Sequence, residues 1–542
     1  MLASSQYSQS FVPFFFQYIS CRNLSSAATG LTPRSLSTPP EFSPTMTATN
    51  GRRDTLDSIN AWVTAVPLNS GRTSKRSTFS KKTTVKSISE SISEKPKEEE
   101  AETPWKSIYL LTAICMFCGV QFSIFFPTLW PFLNKVDPTA SETFFGIITA
   151  AFSVGQGLAS PLFGFWMNRS KSVRQPMICG ILVMIISNII FCFVEAFKEK
   201  DRRWIMMVAR FFIGLGAGTV GVMRAYASTA SNLKDRARAI TFIQASYVIG
   251  MTIGPGVPVA FAPIGFPGWA WGPLHVNMYT APAWFACLIC IISLVLLIIL
   301  LEENYAGIQE KGGDDYKPLP KFDVFAVAVC VFTQFTLMFI ITNLETIGSM
   351  YAMAMWSWTT SEAVVYTGIL QAVNGATSVL VYAGFVVKLG DYVSKGRERI
   401  WTMIGLALGL IYHVATFPYP VGETLKWKPA ETNGTESVGC DPSKYNWCGS
   451  VHEVNFWLYA VLYCTLLAAC FPIVNVSMNT LFSKILGARR QGTMQGIMLM
   501  SGSLARTLGP LLVSWLFQIH GPIPVWGLEV CYEGCKIPVY NG

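Results

Sequence analysis

About eleven stretches of the chain, at 107–133, 143–166, 177–197, 204–229, 239–262, 278–301, 322–352, 361–387, 399–418, 454–479 and 492–519, are apolar over long runs. An α-helix needs roughly 20 apolar residues to cross a hydrocarbon core of about 30 Å. Inside lipid a backbone N–H or C=O has no water to bond. Only helices, which close their hydrogen bonds within one segment, and closed barrels can span it. Runs of this length select helices, so the chain reads as an all-α polytopic membrane protein. Only 13% of the 542 residues are charged, about half the share of an ordinary soluble domain.

The charges that remain give the orientation. Lys and Arg gather in the loops near 167–176, 231–238, 302–321, 388–399 and 482–490. These loops alternate along the chain and so fall on one side, which the positive-inside rule makes cytosolic. Lys198, Lys200, Arg202 and Arg203 break the pattern on the other side, diluted by Glu199 and Asp201. Residues 1–104, rich in Ser, Thr, Lys and Glu, read as a disordered cytosolic tail. The formal net charge of +9 sits in loops and tail and indicates orientation, not nucleic-acid binding. No metal site or cofactor is expected. The CxxC pairs Cys115/Cys118 and Cys287/Cys290 lie within apolar runs, where cysteine serves as a small hydrophobe.

The chain repeats itself. At an offset of 220, Ser141 and Glu142 meet Ser361 and Glu362, Gly155 meets Gly375, and Gly164 and Phe165 meet Gly384 and Phe385. At an offset of 255, Gly254 and Pro255 meet Gly509 and Pro510; a long luminal loop, 419–453, accounts for the difference. Two related halves of about six helices are a mark of secondary transporters. The expected organisation is an N-terminal half at 105–301, a cytosolic linker at 302–321, a C-terminal half at 322–521 and a divergent tail at 522–542. No full span follows Gly521. The second half therefore reads one helix short, through a missing last helix or an end on the outer side.

Three short motifs stand in order on the right spans. Gly164-Phe-Trp-Met-Asn-Arg169 links the second and third, Arg210-x-x-x-Gly214-x-Gly216 lies on the fourth, and Gly250-x-x-x-Gly254-Pro255-Gly256 lies on the fifth. They resemble conserved motifs of the major facilitator superfamily. Asn168 stands where the loop motif usually carries Asp. The glycine pairs Gly214/Gly218 and Gly250/Gly254 each share one helix face, where helices without intervening side chains can approach and slide.

Further segments resemble one branch of that superfamily, the family of ceroid-lipofuscinosis neuronal protein 7. They are residues 130–140, 159–164, 277–280, 344–347, 483–487 and 502–510, and the likeness covers roughly 105–521. It implies a facilitator fold of two six-helix halves in the lysosomal membrane. It also implies transport of a solute or ion, with chloride-like conduction among the activities proposed for the family.

Charges within the spans are the candidate site. Arg210 lies about 9 Å and Glu345 about 10 Å inside the outer ends of their helices, at 1.5 Å per residue. Arg506 stands near the middle of its own span. Each costs at least roughly 2.5–3.5 kcal/mol at such depth unless it faces a partner or an open cavity. Arg224, near the cytosolic end of the fourth span, is expected to snorkel to water as an anchor. His413 reads as structural. In facilitators the first, fourth, seventh and tenth helices line the cavity, so the resemblance places Arg210 and Glu345 there.

The outer loop carries Asn433-Gly-Thr435, a glycosylation acceptor, and Cys440 with Cys448, which an oxidising lumen would allow to pair. Tyr305 to Ile308 and Tyr316 to Leu319 fit tyrosine-based patterns read by endolysosomal sorting adaptors. Three functional readings follow. One is a lysosomal secondary transporter for a small anionic solute, proton-coupled through Glu345. The second is a passive chloride-like channel. The third is a membrane scaffold that moves nothing. None is an enzyme.

Overall fold

The computed structural model describes residues 102–140, 142–272, 274–308, 320–429, 437–534 and 540. Asn433, Tyr316, Leu319 and the tail up to residue 101 lie outside the described residues.

The first half holds α1 (Trp105–Ser123), α2 (Glu142–Ser170), α3 (Arg174–Cys192), α4 (Glu199–Ala230), α5 (Arg236–Ile253) and α6 (Ala281–Leu300). The second holds α7 (Val324–Trp356), α8 (Thr360–Gly384), α9 (Glu398–Ala415), α10 (Phe456–Leu486), α11 (Gly492–His520) and α12 (Pro522–Gly534). Ten helices among the described residues are long and apolar enough to cross a membrane. The expected ninth span, now α9, is a helix of 18 residues that opens on Glu398 and Arg399 and is not among those ten.

Local chemistry sets the ends. Asp323 caps α7 by accepting from the N–H groups of Phe325 and Ala326, and Asn455 caps α10 in the same way through Trp457 and Leu458. Thr359 and Glu362 form a reciprocal capping box at the start of α8. Gly521 stops α11 at φ +76°, a backbone state that favours glycine, with the Trp447 ring where a Cβ would stand. The sequence Gly254-Pro255-Gly256 closes α5 in one 3-10 turn, after which the span runs on helically to Ile264.

The halves pack alike. In the first, α1 packs on α5, α2 and α3 on α4, and α3 on α6. In the second, α7 packs on α11, α8 and α9 on α10, and α9 on α12. The repeat read from sequence is therefore a repeat of packing. The 13-residue α12 takes the place that α6 holds in the first half. Residues 522–534 are thus a short helix packed against α9, where the sequence indicated only a divergent tail.

Between the halves, α2 packs along α11, while α5 packs against α8 and α10. The expected disulfide joins Cys440 to Cys448 in the outer loop, beside a small antiparallel ladder, Trp427–Lys428 with Val438–Gly439.

Candidate functional site

The glycine seams show which helices meet backbone to backbone. Gly214 lies flush on α2, where a Cβ would stand 2.0 Å from the Phe152 carbonyl oxygen, and Gly218 lies against Ala159. Gly250 and Gly254 lie flush on α1, with a Cβ at Gly254 2.0 Å from Ser123 Oγ. Both seams are inside the first half. The close approaches between halves are elsewhere. Gly164 of α2 meets the backbone of Gly492 on α11, and Gly496 meets the backbone of Ser160. Gly509 faces Asn343 of α7 within the second half, and Pro510 lies inside α11.

Asn168 completes this contact. Its Nδ2 donates to Thr493 Oγ1 at 2.9 Å, and its Oδ1 accepts from the Gly492 N–H at 2.9 Å. It thus satisfies one of the N–H groups left over at the start of α11, and it does so without a charge. Arg169 is exposed. One level deeper, Gln244 of α5 donates to Asn475 of α10 at 3.0 Å. All of these contacts lie toward the ends of the helices that carry the basic loops, and they close the molecule there.

Beyond that closure is a cavity of about 690 Å³ lined by both halves. It extends to Phe126, Leu129, Phe145, Pro255 and Gly368, at the opposite ends of the spans. Arg210, Arg224, Arg506 and Glu345 all line it, with Gln244, Gln334, Gln371, Asn374 and Asn475 supplying amides. The structure thus brings together all three sequence candidates, Arg210, Glu345 and Arg506. It corrects Arg224. That residue is 8% exposed and faces the cavity instead of reaching water at the membrane edge. The cause is the chain leaving α6, which folds back over that end of α4. Tyr226 Oη donates to the Glu302 carbonyl at 3.2 Å, and the Gly307 N–H donates to the Thr229 carbonyl at 2.9 Å.

The arginines are not neutralised. Among the described residues no ion pair joins Glu345 to any of them, and Glu345 is open to the cavity. Arg210 is 1% exposed, and its Nε and Nη1 have no hydrogen-bond partner. Its guanidinium lies 5.0 Å from the ring centres of both Phe125 and Phe152, so aromatic faces supply part of its stabilisation. Arg224 likewise has bare Nε and Nη1. Arg506 donates through Nη2 to Gln156 Oε1 of α2 at 2.6 Å and lies over Phe122. Three guanidinium groups against one carboxylate leave the lining positive.

Sequence reading missed two features. Gln156 ties Arg506 to the other half, and nothing in its local pattern marks it. Glu529 and Glu533, four apart on α12, both contact His413. The signal was two carboxylates at helical spacing in an apolar stretch.

Tyr305 is not displayed as a sorting signal would be. Its ring meets Tyr226 edge-on at 5.6 Å, with Arg490 over it at 5.0 Å, and its hydroxyl donates to Glu303 at 3.1 Å. The exposure expected of this motif is therefore lacking at Tyr305.

The family profile of the Major Facilitator Superfamily matches residues 110–425. The chain is 31% identical over 472 residues to major facilitator superfamily domain-containing protein 8 of Xenopus laevis, covering 81% of this chain and 91% of that protein. Among solved structures it is similar to the human organic anion transporter MFSD10, with TM-score 0.58 and 14% identity over 80% of this chain and 99% of that one. It is also similar to the proton:xylose symporter XylE, with TM-score 0.54 and 15% identity over 80% of this chain and 94% of that one. The paired six-helix halves and these matches agree: the chain belongs to the major facilitator superfamily and resembles its domain-containing protein 8 branch.

Proposed function

We propose that the protein is a lysosomal secondary transporter that carries a small organic anion through the central cavity by alternating access. The observation that supports this most is that Arg210 and Arg224, each with buried guanidinium nitrogens that lack a hydrogen-bond partner, line one open volume. A buried donor without an acceptor is costly, and an anionic group entering the cavity would supply the acceptors. The volume of about 690 Å³ falls in the range of pockets for organic ligands, well beyond the needs of a bare halide. That size, and the closed basic-loop end, favour a carrier over a passive chloride-like pore. A scaffold has no use for such a cavity. The similarity to a human organic anion transporter points the same way at the level of fold.

Glu345 supports proton coupling. It shares the cavity with the arginines and has no ion-pair partner among the described residues, so a solute on the arginines and a proton on Glu345 can influence each other through space. The lysosomal address rests on the likeness to the Xenopus laevis relative and its branch. The test compares metabolites of lysosomes with and without the protein, followed by uptake of the accumulating compounds into proteoliposomes. An organic anion that accumulates without the protein and is taken up with it supports the reading. Accumulation of neutral or cationic compounds alone contradicts it.

A further inference from the structure

We propose that His413, Glu529 and Glu533 form a second proton-binding site, separate from the cavity, whose bound proton fastens the short last helix α12 to α9 and α7. None of the three lines the cavity. All are buried, at 0%, 0% and 1% exposure. His413 Nε2 lies 2.7 Å from Glu529 Oε2, and Nδ1 lies 2.9 Å from Glu533 Oε2. Nδ1 also lies 3.0 Å from the Gly409 carbonyl, and Asn343 of α7 donates to Glu529 Oε1 at 3.2 Å.

The hydrogen count follows from what each atom can do. A carbonyl oxygen only accepts, so Nδ1 must carry a hydrogen. A neutral imidazole has a single N–H, and that one is used at Nδ1. Nε2 and Glu529 Oε2 would then be two lone pairs facing each other at 2.7 Å, which repel. Neither atom has any other hydrogen-bond partner, so relieving that repulsion takes one further hydrogen in the contact. It is an acquired proton, held as imidazolium against carboxylate or as imidazole against carboxylic acid. No other bond forms or breaks. The same reasoning holds whatever else Glu533 touches.

The titratable groups on or near the imidazole are these two glutamates and Tyr412 beside it on α9; Tyr459 and Tyr463 of α10 pack on Tyr412, and Cys470 of α10 lies against Gly409. The nearest opposite charges are therefore the glutamates of α12. Asn343 stands two residues before Glu345 on α7, so the site is anchored to the helix that carries the cavity carboxylate. Loss of the proton turns the Nε2–Oε2 contact from attractive to repulsive. Its contribution is present at low pH and is lost as pH rises through the site's folded-state titration.

The test uses purified full-length protein in detergent, melted between about pH 6 and pH 10, beside Glu529→Gln. A glutamine amide donates its own hydrogen to neutral Nε2, so that variant needs no acquired proton. The melting temperature of the wild type should exceed that of Glu529→Gln most at low pH, with the gap closing by about 3 °C or more toward high pH. A gap that stays constant across the range overturns the proposal. Should the variant fail to fold, wild-type protein labelled with ¹⁵N-histidine decides. The chain has 4 histidines, and the other three are assigned by substitution. A hydrogen-bonded Nε2 at neutral pH that changes on alkalinisation is expected. A bare Nε2 at every pH rules the site out.

Discussion

Arg210 and Arg224 are 14 residues apart, just under four turns of helix, which puts them close to one face of α4. That periodicity was available in the sequence. Depth was the misleading part, because counting rise along a straight rod assumes water at the rod's end, and here the chain leaving α6 covers it. Arg210 and Glu345 were legible because a charge deep in an apolar run demands an open cavity or a partner. Gln156 was not, since a lone amide in a membrane helix carries no such demand. In proteoliposomes, Arg210→Ala and Arg224→Ala should each lower anion uptake about 10-fold or more, the loss expected for a charge-assisted contact of 1.5–3 kcal/mol. Arg506→Ala should both lower uptake and loosen the contact to α2, read as a shift in which end of the cavity admits a thiol reagent.

Helices carry the difference between packing and motion. The sequence marked Gly250 and Gly254 as a seam able to slide, but a seam read from one helix does not say which helix it faces. Gly254 faces α1 within its own half, and a side chain there meets Ser123 Oγ at 2.0 Å and the Val120 carbonyl oxygen at 3.0 Å. Gly254→Leu should therefore act on stability, by about 1–3 kcal/mol of overpacking, seen as lower yield and melting temperature. Gly164 is different. A Cβ there stands 2.2 Å from the Gly492 carbonyl oxygen, across the closure between halves. Gly164→Val should keep the fold yet hold the basic-loop end ajar. Labelling of a cysteine placed near Asn475 from that side would rise; unchanged labelling would mean that this closure tolerates a side chain. At the start of α8, the Glu362 carboxyl is held below its usual range by the Thr359 backbone N–H and hydroxyl, so the cap stays ionised in mildly acidic solution and fails only as pH falls through that lowered value. The short helix α12 was hidden because 13 residues are too few for the apolar periodicity of a span to register.

At the scale of the whole molecule, two halves with matching internal packing enclose a positive cavity shut at one end. The repeat and the order of the motifs made the fold legible, since hydropathy and internal symmetry follow directly from the bilayer. Which helix faces packed together was not legible, because the partners lie far apart along the chain. Orientation has its own check. Asn433 should carry a glycan, and Asn433→Gln should remove the mobility shift produced by an endoglycosidase; a shift that persists means the sugar sits elsewhere.

The central claim is that the cavity holds an anion on its arginines and couples it to Glu345. It is tested most directly by uptake of a panel of labelled anions, among them chloride, phosphate and organic carboxylates, into proteoliposomes across a range of pH. The account predicts that the wild type accumulates an organic anion in a pH-dependent way, that Arg210→Ala lowers this about 10-fold or more, and that Glu345→Gln still moves the anion but with a flat pH profile. Uptake by Arg210→Ala equal to the wild type, or an unaltered pH profile in Glu345→Gln, would contradict it.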